Sequence, residues 1–511
     1  MLRTCAGSPF AIASAPLLAL ALAAPKLSAQ CAPVWSALTS GADARVLALA
    51  SSPFGGPTGG GTFVGGEFSA VGGSSVSYVA QWLAGAWQPL GAGTDDAVRA
   101  LAVAPNGELV AAGAFTQAGG VAANRVARWD GANWSPLGLG VGGTAWAVAV
   151  RSNGNVLVAG AFGGAGTALA NNIAEWDGTS WQALGAGVNG TVRTVWIAPN
   201  DDVYVGGGFT MAGNAPASRV ARWDGASWSE LAGGADGPVY DLASDANGAL
   251  LVVGNFTAVA GGSVSSPGIA RYDGAWQALG SGVSNGAGPQ AFVEAVHVLP
   301  DGDVLVGGQF AQAGVGSAFG IARYRDGAGW SAVDTGVDGP VYAISRDRNS
   351  QQVWAGGQFQ TAGSVLVGNV AQLASPCPAS RSALGMGCGG RQLDVVADAW
   401  IGGTFASALA GVQPNELAVA VTGLAVGATN LQSLLPQAQA SCSLFVSPDV
   451  VTGMTAIGGG TVESTFALPN DPALVGAVFH QQAVVLSLGG VPVGLSNVTS
   501  SNAWSMTVGS F

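Results

Sequence analysis

Seven positions of this chain change identity while their neighbours hold still: Leu47, Arg99, Trp146, Arg193, Tyr240, Glu294 and Tyr342. Each is the second residue of a short apolar run, such as VRALAV at 98–103 or VYDLAS at 239–244. Three aromatic rings, two guanidiniums and one carboxylate are the equipment of recognition. Rings offer flat faces for stacking, and arginine offers a fork that fits carboxylate or hydroxyl groups. The residues expected to bind a ligand are therefore these seven; the alternative is an assorted, solvated rim. A second chemistry needs paired carboxylates roughly 5 to 9 Å apart for acid–base cleavage of a glycosidic bond. Its nearest candidates are Glu294, Glu67 and the adjacent pair Asp95–Asp96.

Other chemistries lack material. The chain has two histidines, His297 and His480, and no Cys-x-x-Cys or His-x-x-x-His. A zinc or copper site has little to draw on, and no cofactor is expected. Gly-rich strings such as VGGGF are not followed by Gly-Lys-Ser/Thr, so they read as strand ends rather than phosphate loops. The only lysine is Lys26, which removes Schiff-base chemistry from everything downstream. A formal net charge of −12 argues against nucleic acid and against an anionic membrane surface.

The elements that would position the seven residues follow from a repeat. Phe68, Phe115, Phe162, Phe209, Phe256, Phe310 and Phe359 each follow G-x or an equivalent pair. Trp35, Trp87, Trp134, Trp181, Trp228, Trp276 and Trp330 each open a short strand. Between consecutive markers lie four strand signals, in the second copy VRALAVA, ELVAAGAF, RVARW and WSPL. The last two are joined by Asp-Gly-x-x, a hairpin signal because glycine tolerates positive φ. Four short antiparallel strands in a period of about 47 residues make a propeller blade. With 82 glycines in 511 residues and only 9% charged, the composition suits short strands and tight turns.

Seven markers predict an all-β, seven-bladed β-propeller. The seventh copy supplies VYAIS, VWAGGQF and NVAQLA but no Trp strand, while an unmatched VWSAL stands at 34–38. VWSAL is expected to complete the seventh blade and so remove an exposed edge. In a propeller the first strand of each blade is innermost, and its start lies at one mouth of the central channel. The seven variable residues would then ring that mouth. Arg128, Arg222, Arg271 and Arg323 recur one residue before the aromatic of the third strand, and are expected to pair with the Asp that follows, as Arg128 with Asp130.

The order of strands, the G-x-F markers and the W-x-x-L-G-x-G-V strings at 134–141 and 181–188 carry a resemblance. They resemble kelch-type propellers, and more closely the Rax2-like propeller repeats, over about residues 34–374. The Tyr, Cys and His set of the kelch-like copper oxidases is not recognisable here. Residues 385–511 break the repeat and alternate in stretches such as ELAVAVTGLAV, which predicts a small β-sandwich after a linker at 379–384. The whole layout resembles secreted proteins of planctomycete-type bacteria.

The N-terminus has Arg3, the apolar run AIASAPLLALALAA and small residues before Gln30, the pattern of a signal peptide over 1–29. Residues 30–378 would form the propeller. An exported chain keeps four cysteines, and an oxidising compartment pairs them. Cys31 and Cys377 flank the two ends of the ring, so a Cys31–Cys377 bond is expected to lock it, leaving Cys388 with Cys442. The expectation is a secreted, non-enzymatic binding or scaffold protein for a protein or glycan ligand, without membrane insertion after signal cleavage. An extracellular carbohydrate-active enzyme, hydrolase or oxidase, is the alternative.

Overall fold

The computed structural model describes residues 33–508, apart from 53–55, 287, 289, 348–351, 375–379, 386–387, 389–391, 398, 400–403, 434–436, 439–441, 459, 470–473 and 490–493. The segment 1–29, Cys31 and Cys377 lie outside the described residues. Helix is confined, among the described residues, to two three-residue turns at Ala260–Gly262 and Leu431–Ser433. The paired strands described are all antiparallel, with one isolated parallel bridge between Ala438 and Val498.

Between 34 and 374 the longer strands form four-stranded sheets, all but one laid out in sequence order. One comprises Val98–Val103, Leu109–Gly113, Val126–Trp129 and Trp134–Pro136. The second strand of each sheet is the most deeply buried, as in Leu109–Gly113, because neighbouring sheets cover both of its faces. Such a strand reads as continuous Val, Leu, Ala and Gly rather than as an alternation. One sheet departs from sequence order: Val34–Ala37 pairs with Val370–Ala374, with Trp35 opposite Leu373.

The first strands of successive sheets neighbour one another in a closed circuit, with Val341–Arg346 next to Val46–Ser52. Glycine marks that seam. A Cβ on Gly356 would stand 2.5 Å from Cγ1 of Val46. The same meeting recurs between Gly65 and Val98 at 2.6 Å, so the contact joining the two ends of the repeat is the contact used inside it.

Tryptophan supplies a second join. Nε1 of Trp134 donates to the carbonyl of Leu90 in the preceding sheet at 2.8 Å. Trp181, Trp228, Trp276 and Trp330 do the same to Leu137, Leu184, Leu231 and Leu279, each at 2.8 Å. Trp87 reaches Leu38, beyond the N-terminal strand, at 3.3 Å. The leucine of each W-x-x-L string is thus the acceptor for the next copy's tryptophan.

The repeat holds more than four strands. A two-residue hairpin stands between the second and third, such as Gln117–Ala118 with Val121–Ala122. Its turn needs positive φ at Gly119 and Gly120. In five copies an aspartate or asparagine before the first strand braces it: Asp95 accepts the N–H groups of Thr116 and Gln117 at 2.7 and 2.8 Å. Asp43, Asn189, Asp236 and Asp338 do the same in other copies.

The expected pairing of Arg128 with Asp130 is corrected. Asp130 is occupied in its turn by the N–H groups of Ala132 and Asn133. Arg128 lies opposite Val110 and instead meets Glu108, two residues along the neighbouring strand, at 3.3 Å. Arg222 meets Asp202 at 2.7 Å, Arg271 meets Asp245 at 2.9 Å, and Arg323 pairs with Asp303. Diagonal cross-strand reach wins over sequence adjacency, because successive strand residues point to opposite faces.

Beyond 380 a five-stranded and a four-stranded antiparallel sheet share a core in which Leu393, Leu409 and Val462 of one meet Ala418, Ala420 and Val485 of the other. Cys388 and Cys442 form a disulfide, 54 residues apart in sequence. The linker expected at 379–384 is corrected: Ser380–Gly385 is an edge strand paired with Gly494–Thr507. Polar SRS hid it, because an edge strand has one neighbour and can carry polar residues.

Candidate functional site

Every first strand carries a β-bulge near its start, and the residue left without a cross-strand partner is the variable one. Register in the second sheet runs Val98 opposite Gly113 and then Ala100 opposite Ala112, skipping Arg99. Leu47, Trp146, Arg193, Tyr240, Glu294 and Tyr342 are skipped in the same way. A bulge frees one residue from the ladder and re-aims its side chain. Identity can change there because the ladder does not depend on it, while the flanking valines stay to pack between sheets.

The structure brings all seven to one place. They line a cavity of about 330 Å³ together with Thr194 and Asp241. Arg193 is exposed and the other six half-buried. The guanidinium carbons of Arg99 and Arg193 sit over the Trp146 ring, 4.1 and 3.9 Å from its centroid. Trp146 therefore holds two cations, a cation–π contact made twice on one ring. Arg193 also lies 5.9 Å from the Tyr240 ring. The opposite arc is Tyr240, Glu294 and Tyr342.

The electrostatics are divided between these arcs. Burial draws the Arg99 guanidinium below its ordinary value, and Arg193 adds to this against the pull of Glu67 and Asp96. Burial pushes the Glu294 carboxyl up, with Arg193 opposing and Asp241 reinforcing. Burial likewise raises the Tyr240 and Tyr342 hydroxyls. Asp241 was not singled out by the sequence reading. Burial lifts its carboxyl to about 6, although it accepts the N–H groups of Leu242 and Val296 at 2.8 and 2.9 Å and the Thr194 hydroxyl at 3.3 Å. It bridges three first strands from inside the circuit. Its only sequence signal is an aspartate where the other copies have Ala or Thr.

The remaining acidic candidates stand elsewhere. Burial acts upward on Asp95, but the Thr116 hydroxyl and the hairpin N–H groups outweigh it and hold the carboxyl below its usual range. Such a group neither keeps a proton to donate nor is free to take one. Asp96 accepts the N–H of Ala97 at 2.7 Å, and Glu67 faces Arg45 at 3.7 Å. Neither lines the cavity. As a pair for acid–base work, Asp95–Asp96 is corrected to a structural brace.

His297 lies on the strand Phe292–Val298, where burial and then Arg346 push its imidazole down to about 4. His480, in the C-terminal five-stranded sheet, is also lowered by burial. Both are neutral near pH 7. Among the described residues, no group of three or more His, Cys, Asp or Glu is placed to hold a metal ion. None of the described helices is long and apolar enough to cross a membrane.

A second cavity, of about 720 Å³, opens beside the first. Residues 285–291 form part of the longest repeat, the one between Phe256 and Phe310, and Asn285 and Gln290 from that stretch line its wall. Phe292 lines it too and stacks on Tyr240 of the first cavity, with ring centroids 6.5 Å apart and 14° between planes.

Comparison with known proteins places the chain by class. A family described as a domain of unknown function (DUF5122) beta-propeller matches residues 104–131 and 299–325. With the four-stranded sheets above, that match defines a β-propeller repeat protein. Among solved structures, the extracellular domain of BT4673 from B. thetaiotaomicron is similar in two determinations at 10% identity, with TM-scores of 0.40 and 0.43. These cover 92% and 94% of this chain, which spans only 56% and 59% of theirs. The WD40 beta propeller domain of Doa1 is similar at 13% identity and a TM-score of 0.30, over 55% of this chain and 93% of that one. No curated protein matches the chain.

Proposed function

We propose that this is a secreted, non-enzymatic binding or scaffold protein, which presents the mouth of a seven-bladed, kelch-like or Rax2-like propeller to a glycan or protein ligand. The observation that carries the reading is the bulge: seven copies spend an unpaired residue at the same place, and the seven side chains converge on one cavity. In this reading the signal peptide 1–29 exports the chain, a Cys31–Cys377 bond locks the ring, and a C-terminal β-sandwich follows. The planctomycete-type layout belongs to the same proposal. Nucleic acid is not a partner, given the charge of −12.

The test is a glycan and protein-ligand screen on the purified chain, repeated with Trp146→Ala and Arg193→Ala. Either variant is expected to weaken a mouth-bound ligand at least tenfold. Unchanged affinity in both would end the proposal.

One observation favours a second reading. Glu294 and Asp241 share the cavity; burial raises both carboxyls, and Asp241 adds to the rise at Glu294. An extracellular carbohydrate-active hydrolase would use such a pair as acid and base. Release of reducing ends from an oligosaccharide, abolished by Glu294→Gln, is the outcome that reading requires.

A further inference from the structure

Seven described arginines each face a carboxylate within 4 Å: Arg45, Arg128, Arg151, Arg222, Arg271, Arg323 and Arg325. Arg99 and Arg193 do not, nor do Arg125 and Arg219, but of these four only Arg99 and Arg193 line the mouth. Their guanidiniums instead both lie over the ring of Trp146, whose strand stands between theirs, and Nε of Arg99 is buried without a hydrogen-bond partner. Glu67 and Asp96 act on Arg99, and Glu294 on Arg193, only from beyond salt-bridge distance, which leaves both forks open to an anion from outside. Arginine forks are matched to carboxylates and to tetrahedral oxyanions such as phosphate, which they bind through two parallel hydrogen bonds.

The neighbouring cleft adds the rest of the ligand. Phe319 lines it with half its surface, 51%, open to solvent. Around it stand the carboxamides of Asn285, Gln290 and Gln309. An exposed ring with convergent amides suits a sugar face and its hydroxyls. Phe292 and Tyr240 form the stacked partition between this cleft and the mouth.

Resting on the mouth-binding reading above, we infer that the ligand is an acidic oligosaccharide, its carboxylate or sulfate held by Arg99 and Arg193 and its adjoining rings laid in the cleft beside Phe319. Trp146 is a positioning residue: with two guanidiniums over it, it orients the forks rather than stacking on sugar.

The experiment is titration calorimetry on the full chain. Its probes are hexuronic-acid oligosaccharides of two to six rings, the same oligosaccharides with carboxyls reduced to alcohols, sulfated neutral oligosaccharides, and a Glu-rich peptide. A hexuronic-acid or sulfated oligosaccharide should bind, and the panel identifies which oxyanion is preferred. Its Kd should rise tenfold or more on carboxyl reduction or desulfation, with Arg99→Gln or Arg193→Gln, and in 0.5 M NaCl. Phe319→Ala should weaken the longer oligomers and leave the shortest unchanged. Circular dichroism of each variant checks that it is folded, and the reduced probe needs no variant at all.

Equal affinity for acidic and reduced oligosaccharides overturns the inference, while the mouth reading survives if Trp146→Ala still abolishes binding. Binding of the Glu-rich peptide and of no acidic oligosaccharide overturns the glycan assignment. Failure of every probe in this panel overturns the inference, and failure of the wider ligand screen as well overturns the mouth reading.

Discussion

Asp241 is the residue whose chemistry is most sensitive to the surroundings. Its carboxyl sits near 6 in the folded chain against 3.8 for an unburied aspartate. Below about pH 3 it is largely protonated in both states, and above about 7 largely ionised in both. Between these limits the folded chain holds a proton that the unfolded chain has lost, so stability falls as pH rises through the window. Asp241→Asn keeps an acceptor for Leu242 and Thr194, which share one oxygen, loses the one for Val296, and cannot ionise. The melting temperature of the parent is expected to fall between pH 4 and 7 relative to this variant, by thermal unfolding at several pH values. Parallel curves would show that the site does not titrate in that range. The same residue marks a limit of reading a sequence. An aspartate among apolar residues is visible, but its burial against two other first strands is a fact of three-dimensional closure.

At the scale of an element, the tryptophan that opens the fourth strand joins neighbouring sheets through one hydrogen bond in six of the copies. A net contribution of about 1 kcal/mol is usual for such a bond, with more lost when a buried partner is left unsatisfied. The N-terminal Trp35 provides an internal control. It is as buried as Trp134, at 5% against 7% exposed, but its Nε1 has no partner. Trp134→Phe and Trp35→Phe remove the same volume, and only the first breaks a bond. Trp134→Phe is expected to cost about 1 kcal/mol more, read from denaturant unfolding. Equal costs would mean the bond contributes nothing.

The whole molecule depends on a strand from its beginning covering an edge near its middle. Removing residues up to Ala37 leaves Val370–Ala374 with unpaired N–H and C=O groups along one side. Such a chain is expected to unfold at lower temperature and to associate through the open edge, as measured by thermal unfolding and size-exclusion chromatography. A truncated chain that stays monomeric with an unchanged melting temperature would show that pairing there is dispensable. The seam also has Gly356 against Val46 and Trp87 on Leu38, so truncation weakens the closure without removing it.

The repeat markers, the strand order and the variable position were legible in the primary structure, because each is a local pattern: an aromatic at fixed spacing, a turn formed by Asp-Gly, an apolar run flanking one changing residue. The linker at 379–384 and the pairing of Arg128 with Asp130 were misread, since an edge strand can look polar and a strand's neighbours in space are not its neighbours in sequence. The hairpins braced by Asp95 and its equivalents were missed, because two-residue strands carry no periodicity. Only the tertiary structure decided that the changing residues are bulges, that two arginines share one indole, and that Asp241 lies among three strands. The bulges depend on register between strands some 15 residues apart, and the other two facts on contacts between positions about 50 residues apart. Local propensity determines which strands form; the cross-strand register and the packing of sheets on sheets determine where each side chain points.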